Sequence, residues 1–399
     1  MTKASQEPIK VTTFENTDLS TAPLNWKEVW WTNCASIAAS NIDQDLGWTA
    51  EEYRKLGVKY AFFRSVRENN FYPHYIHNLD NLIRFGGLFP PIQVHADIRR
   101  TVLLGATHAQ NEGGCMLVRA KDKIFRMANL KGKKIGLSKS MNKVKLDWWR
   151  AQEEQGIELM LHLNGMTRDD VEIVEFPYAD DFYDKPELLA PIENLTDYQG
   201  TRDHKHELGF RPLETALLNG VVDAIYTQSK VFQHLQEDTG KIKAIEDLSR
   251  YPDWTLQGAN LPAVITCTDV MAEKHPELVI AYLKSMIKVG RWGNEHKHAA
   301  AVILDKQTYY RDVEDTYKNI KDIDLVPNLS LKNMAAIDLS KDFLLSHGYI
   351  KNDFDVNDWA APDFLEQAAR ELLEEEWGKR TTDKLPQTAD PLQSGRMFG

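Results

Sequence analysis

The sequence predicts an α/β fold in two compact units, and three observations predict it. Strand-like and helix-like segments alternate along the chain, which builds helical layers on sheets of parallel strands. The 399 residues exceed what one simple core organises. The composition, 42% hydrophobic with 27% charged, is globular and leaves disorder only to the ends.

The elements follow in order. Glu28-Val-Trp-Trp-Thr-Asn33 reads as a buried strand running straight into Cys34, and Ala35-Ser-Ile-Ala-Ala39 has the small residues of a helix. Trp48 to Leu56 is a second short helix, and Val58 to Phe63 returns as a strand. Gly114-Cys-Met-Leu-Val-Arg119 is a strand, followed by a basic loop, a turn of helix over Met127–Gly132 and a strand at Lys134–Leu137. Glu214 to Gly220 is a helix with its glycine stop, and Val222 to Tyr226 is the next strand. Leu261 to Cys267 reads as a strand, and Pro276–Trp292 and His296–Gln307 as helices. Residues 176–205 are acidic, aromatic and weakly periodic, so they form a long surface excursion or a lid.

The Met127–Leu137 and Glu214–Tyr226 units resemble the second lobe of bacterial solute-binding proteins of the taurine, sulfonate and nitrate type. That resemblance implies a periplasmic-binding-protein-like type 2 fold, with crossings near residues 115–122 and 254–262. Lobe one then comprises 1–118 and 258–380, lobe two 119–257, and residues 381–399 form a polar tail. A functional site is expected in the cleft between the lobes.

Bulk properties narrow the function. A formal net charge of −11 argues against nucleic acid or an anionic membrane surface as partner, since both need a basic footprint. Met1 to Lys10 is polar and lacks the apolar run of a secretory signal, and no window approaches a membrane span. Cys34, Cys115 and Cys267 are odd in number and widely spaced, which fits neither a disulfide framework nor a CxxC metal pair. The expectation is a cytoplasmic protein with three free thiols, and no metal or organic cofactor.

Cys34 stands where a strand ends and a helix begins, so free backbone N–H groups and the helix dipole would favour its thiolate. Cys115 and Cys267 fall inside strands and read as packing residues. In His74-Tyr-Ile-His77-Asn-Leu-Asp-Asn-Leu-Ile-Arg84-Phe-Gly-Gly87, Arg84 offers a planar fork for two oxygens of an anion. Gly86 and Gly87 let backbone N–H groups approach the same anion. His74 can orient or deprotonate a thiol, with His77 as its substitute.

Thr32-Asn-Cys34, His74 ten residues before Arg84-Phe-Gly-Gly87, Pro90-Pro91 and the distant Asp358-Trp-Ala-Ala-Pro-Asp-Phe364 together resemble the hydroxybiphenyl sulfinate desulfinase family. The resemblance implies a cytoplasmic enzyme on the solute-binding fold that cleaves an aryl C–S bond and releases sulfite, using Cys34, His74 and Arg84. A small-molecule aromatic sulfinate is the implied partner, and the chain is taken as a monomer. Asn33, Tyr75, Gly86, Gly87 and Ser138 are expected to line the substrate, with Trp148 and Trp149 as candidates for an aromatic wall. Ser138 belongs to the Gly136–Ser140 segment, read as a turn that opens a helix. Two routes stay open, with Cys34 either attacking sulfur as thiolate or protonating the ring carbon as thiol. Two other readings share the scaffold. One is a non-catalytic binder of a sulfonate or sulfinate anion; the other is a different cytosolic enzyme, such as one making the thiamin pyrimidine. The last carries neighbouring cysteines that this chain lacks.

Overall fold

The computed structural model describes residues 26–34, 36–62, 72–109, 113–143, 145–178, 212–228, 235–237, 239–256, 258–308 and 310–384. The N-terminal decapeptide, most of the 176–205 excursion and the tail beyond residue 384 lie outside the described residues.

Two five-stranded sheets organise the chain. The first has the order β2-β1-β3-β10-β4, built from β1 (Glu28–Asn33), β2 (Lys59–Phe62), β3 (Leu82–Gly86), β4 (Thr101–Ala106) and β10 (Val264–Thr268). The second has the order β7-β6-β8-β5-β9, built from β5 (Cys115–Arg119), β6 (Lys134–Ser140), β7 (Glu172–Tyr178), β8 (Ala224–Thr227) and β9 (Ile242–Asp247). The α/β prediction holds, but not its all-parallel form. β10 runs antiparallel to β3 and β4, and β5 runs antiparallel to β8 and β9. These are the strands by which the chain enters one sheet from the other, so they arrive from the opposite direction. β5 pairs with the second sheet along its whole length, so the first crossing lies between Ala106 and Cys115, ahead of the predicted boundary at 118.

Side-chain alternation explains the burial. On β5, Met116 and Val118 join one hydrophobic cluster while Cys115 and Leu117 join the cluster on the other face. A sheet buried on both faces needs this run of apolar residues. Against the first sheet lies the Pro276–Glu295 helix, whose Leu278, Val279, Tyr282, Leu283 and Met286 share a core with Val29, Ile83 and Ile265. The Asp358–Phe364 block caps the edge of that sheet. Trp359 is buried and donates from Nε1 to Thr101 Oγ1 at 3.0 Å, and Ala361 N–H bonds to the Leu103 carbonyl at 2.9 Å.

The sheets are bridged by the Trp148–Leu163 helix, capped by Asp147, which accepts from Arg150 N–H at 3.1 Å. Leu146 and Ala151 pack into a cluster with Leu88, Phe89 and Ile92 beside the first sheet. Tyr349 donates to Glu154 at 2.5 Å, and Gln152 accepts from Asn260 N–H at 3.3 Å.

One further expectation is corrected: the first helix starts at Ala39 rather than Ala35. The last helix is Pro362–Lys384. Among the described residues no helix is long and apolar enough to cross a membrane.

Candidate active site

Strand register assembles the site. β1 and β3 are parallel neighbours with Thr32 opposite Arg84, so both side chains stand on one face of the sheet. Cys34, two residues past Thr32, follows on that face. The short Tyr72–Ile76 helix lies above, and His74 fits between them. Its Nδ1 is 2.9 Å from Thr32 Oγ1, and its Nε2 is 3.4 Å from Cys34 Sγ.

Arg84 is fully buried in the middle of the sheet. Its Nε donates to the His74 carbonyl at 2.8 Å, and its Nη2 lies 3.4 Å from His74 Nε2 and 3.9 Å from Cys34 Sγ. A guanidinium only donates, so these contacts suit His74 with its proton on Nδ1, toward Thr32, and its Nε2 lone pair toward the thiol. Burial lowers the Arg84 pKa from its ordinary value, opposed by Cys34 and Tyr75. The group nonetheless keeps its charge in proteins. Its Nη1 has no hydrogen-bond partner among the described residues. A buried charged donor without a partner is costly.

The two glycines shape the surroundings of the thiol. Gly87 N–H donates to Cys34 Sγ at 3.4 Å, so it addresses the thiol itself. A side chain at Gly86 would place Cβ 2.6 Å from Sγ and 3.3 Å from Arg84 Nη1, so the missing side chain is the space through which sulfur and guanidinium face one another. The Gly86→Ala variant should therefore push Sγ off His74. The expected result is a loss of turnover of roughly 10²-fold, the scale of a 1 Å misplacement, with melting temperature little changed.

The Cys34 backbone is pinned by residues the sequence did not single out. Asn41 Nδ2 donates to the Cys34 carbonyl at 2.9 Å, and Gln307 brackets Asn41 with bonds of 3.1 and 2.7 Å. The helix dipole plays no part, because the helix starts five residues beyond the thiol. Below Gly87, Asn260 accepts from Phe89 N–H at 2.5 Å and its carbonyl accepts from Leu88 N–H at 3.2 Å.

Other predicted positions divide. Tyr75 is buried beside His74, ring edge to ring face at 4.9 Å, with Lys145 Nζ 4.1 Å over its ring. Trp148 packs near Tyr75 and Leu82, with Trp149 beside it at 4.8 Å. Asn33 is buried but alternates to the face of β1 away from Thr32, so it is not brought to the thiol. Ser138 is a correction. It lies in β6 rather than at a helix start, and its N–H and hydroxyl both donate to Glu153, at 2.8 and 3.0 Å. Cys115 and Cys267 are buried in strands, and burial pushes the Cys267 thiol pKa up.

No protein-family model matches the chain. The curated 2'-hydroxybiphenyl-2-sulfinate desulfinases of Rhodococcus erythropolis and Rhodococcus qingshengii are each 25% identical to it over 320 residues, covering 73% of this chain and 82% of theirs. Among solved structures, the desulfurization enzyme DszB aligns with a TM-score of 0.65 at 21% identity, covering 86% of this chain and 99% of its own. A DszB cysteine-to-serine variant in complex with biphenyl-2-sulfinic acid aligns over the same shares at 20% identity and a TM-score of 0.61. The periplasmic aliphatic sulphonate binding protein SsuA of Escherichia coli aligns at 12% identity and a TM-score of 0.54, covering 84% of this chain and 92% of that one. The resemblance read from the sequence, to the desulfinases and to sulfonate-binding proteins, is borne out, and the fold is theirs.

Proposed function

We propose that this chain hydrolyses the carbon–sulfur bond of an aromatic sulfinate and releases sulfite, with Cys34, His74 and Arg84 as its working groups. The observation that carries the reading is the buried Arg84 fork, one nitrogen unpartnered, set beside a thiol that contacts a histidine. The desulfinase relatives supply the reaction class.

In this reading the sulfinate oxygens take the free N–H groups of Arg84, which holds sulfur against Cys34. Cys34 attacks that sulfur while the ring carbon, leaving with the bonding pair, takes a proton by way of His74. The arene departs and Cys34–S–SO2⁻ remains. Water then attacks the sulfur, giving HSO3⁻ and the restored thiol. The Gly87 N–H and the Arg84 guanidinium both point toward Sγ, which favours this nucleophilic route over protonation by a neutral thiol. Thr32 holds the His74 tautomer that the first step needs.

The test is a series of aryl and alkyl sulfinates with sulfite as the readout. Release from the aryl members and none from the matching sulfonates is expected. Tight binding of all of them without release would support a binding protein instead.

A further inference from the structure

After β3 the backbone offers N–H groups on Gly87, Leu88 and Phe89 and then none on Pro90 and Pro91. These residues lead into the Phe89–Gln93 helix, and N–H groups at a helix start find no partner inside the helix. One of the three goes to the thiol, since Gly87 N–H donates to Cys34 Sγ at 3.4 Å. The other two go to a single residue. Leu88 N–H donates to the Asn260 carbonyl at 3.2 Å, and Phe89 N–H donates to Asn260 Oδ1 at 2.5 Å.

Asn260 also packs directly on Gly87. A Cβ there would stand 2.6 Å from Asn260 Nδ2 and 3.0 Å from the Asn260 carbonyl oxygen. The two glycines thus make room for different neighbours, Gly86 for Sγ and Gly87 for Asn260. Asn260 lies between β9 and β10, where the chain returns from the second sheet to the first. Its own N–H donates to Oε1 of the buried Gln152 at 3.3 Å, on the Trp148–Leu163 helix. Just ahead of it, the Gly258 carbonyl accepts from the buried Tyr226 hydroxyl at 2.6 Å. Asn260 is therefore tied to the second sheet while it grips the turn beside the thiol.

We infer that Asn260 is a positioning residue for the reaction: by taking the Leu88 and Phe89 N–H groups, it keeps the Gly87 N–H aimed at Cys34 Sγ. The inference rests on the function proposed above, in which that N–H favours the attacking thiolate. Glycine is the freest backbone residue, so the direction of its N–H has to be imposed by its neighbours. Leu88 N–H and the Gly87 carbonyl share one rigid peptide plane, so the bond at Leu88 restrains Gly87 directly. The bond at Phe89 fixes the next plane. Removing a donor from a developing charge typically costs about 10²–10³ in rate; here the donor stays and only its aim loosens, so a smaller loss is expected.

Asn260→Ala removes Oδ1 and keeps the backbone carbonyl. Its kcat for sulfite release from an aryl sulfinate should fall roughly tenfold, with KM within about twofold. Iodoacetamide should alkylate Cys34 roughly fivefold more slowly at neutral pH, read with Cys115 and Cys267 replaced by serine. Tyr53→Phe is the control, because it loses a buried hydrogen bond of 2.8 Å to the Leu278 carbonyl in the core against the first sheet. It should lower the melting temperature by a similar few degrees and leave alkylation unchanged. Alkylation that is unchanged or faster in Asn260→Ala would overturn the inference, and so would equal slowing in Tyr53→Phe. A raised KM with unchanged kcat would also overturn it, by making Asn260 a substrate contact. If Asn260→Ala does not fold, Gly87→Ala carries the test, since its Cβ displaces Asn260 while the N–H remains. It should slow alkylation to the same extent, and an unchanged rate would again sink the inference. If the wild-type protein releases no sulfite from any sulfinate, the function fails, while alkylation needs no substrate and still decides the role of Asn260.

Discussion

Cys34→Ser is expected to lower sulfite release by at least ~10³-fold, while a sulfinate still binds within a few-fold of wild-type affinity. The hydroxyl occupies nearly the same space against His74, Gly87 and Arg84, so the anion contacts survive. Serine is the weaker nucleophile at neutral pH, because its hydroxyl ionises far less readily than a thiol even with His74 beside it. Cys115→Ser and Cys267→Ser are the matched controls, both buried in strands and expected to keep turnover if they fold. Retention of a tenth or more of wild-type turnover in Cys34→Ser would remove the thiol from the chemistry.

Arg84→Lys should lose affinity and rate together. The guanidinium does three things at once: it donates from Nε to the His74 carbonyl, faces Sγ with Nη2 and leaves Nη1 for a ligand. A single ammonium cannot fill these directions from one position. Losing a charge-assisted pair in a buried site should cost on the order of 2–5 kcal/mol. Calorimetry with a non-reactive sulfonate analogue separates the binding part from the rate part. Unchanged affinity for that analogue would move the anion site away from Arg84.

The parts of the site that were legible in sequence are those carried by short spacings. His74 and Arg84 are ten residues apart and Cys34 ends an apolar strand, and the structure brings the three together. What supports them was not legible, since the partners come from far along the chain. Gln307 reaches Asn41 across 266 residues, and no spacing encodes that. β3 escaped notice because a charged residue sits at its centre, and a buried arginine looks like a surface residue until its partners are known. Ser138 misled for the opposite reason. Its Gly-Leu-Ser-Lys-Ser segment has the composition of an anion-binding turn, yet Glu153 takes both of its donors. Alternation of layers was readable, whereas strand direction was not, because an apolar run looks the same in parallel and antiparallel neighbours.

The central claim is C–S cleavage at Cys34, and product analysis in D2O tests it most directly. The wild-type protein is mixed with biphenyl-2-sulfinate, and sulfite and arene are quantified together. Equimolar sulfite and biphenyl are expected, with one deuterium on the carbon that carried sulfur and neither product from Cys34→Ser. Recovery of the sulfinate intact from a tight complex, with no sulfite at any enzyme concentration, would contradict it.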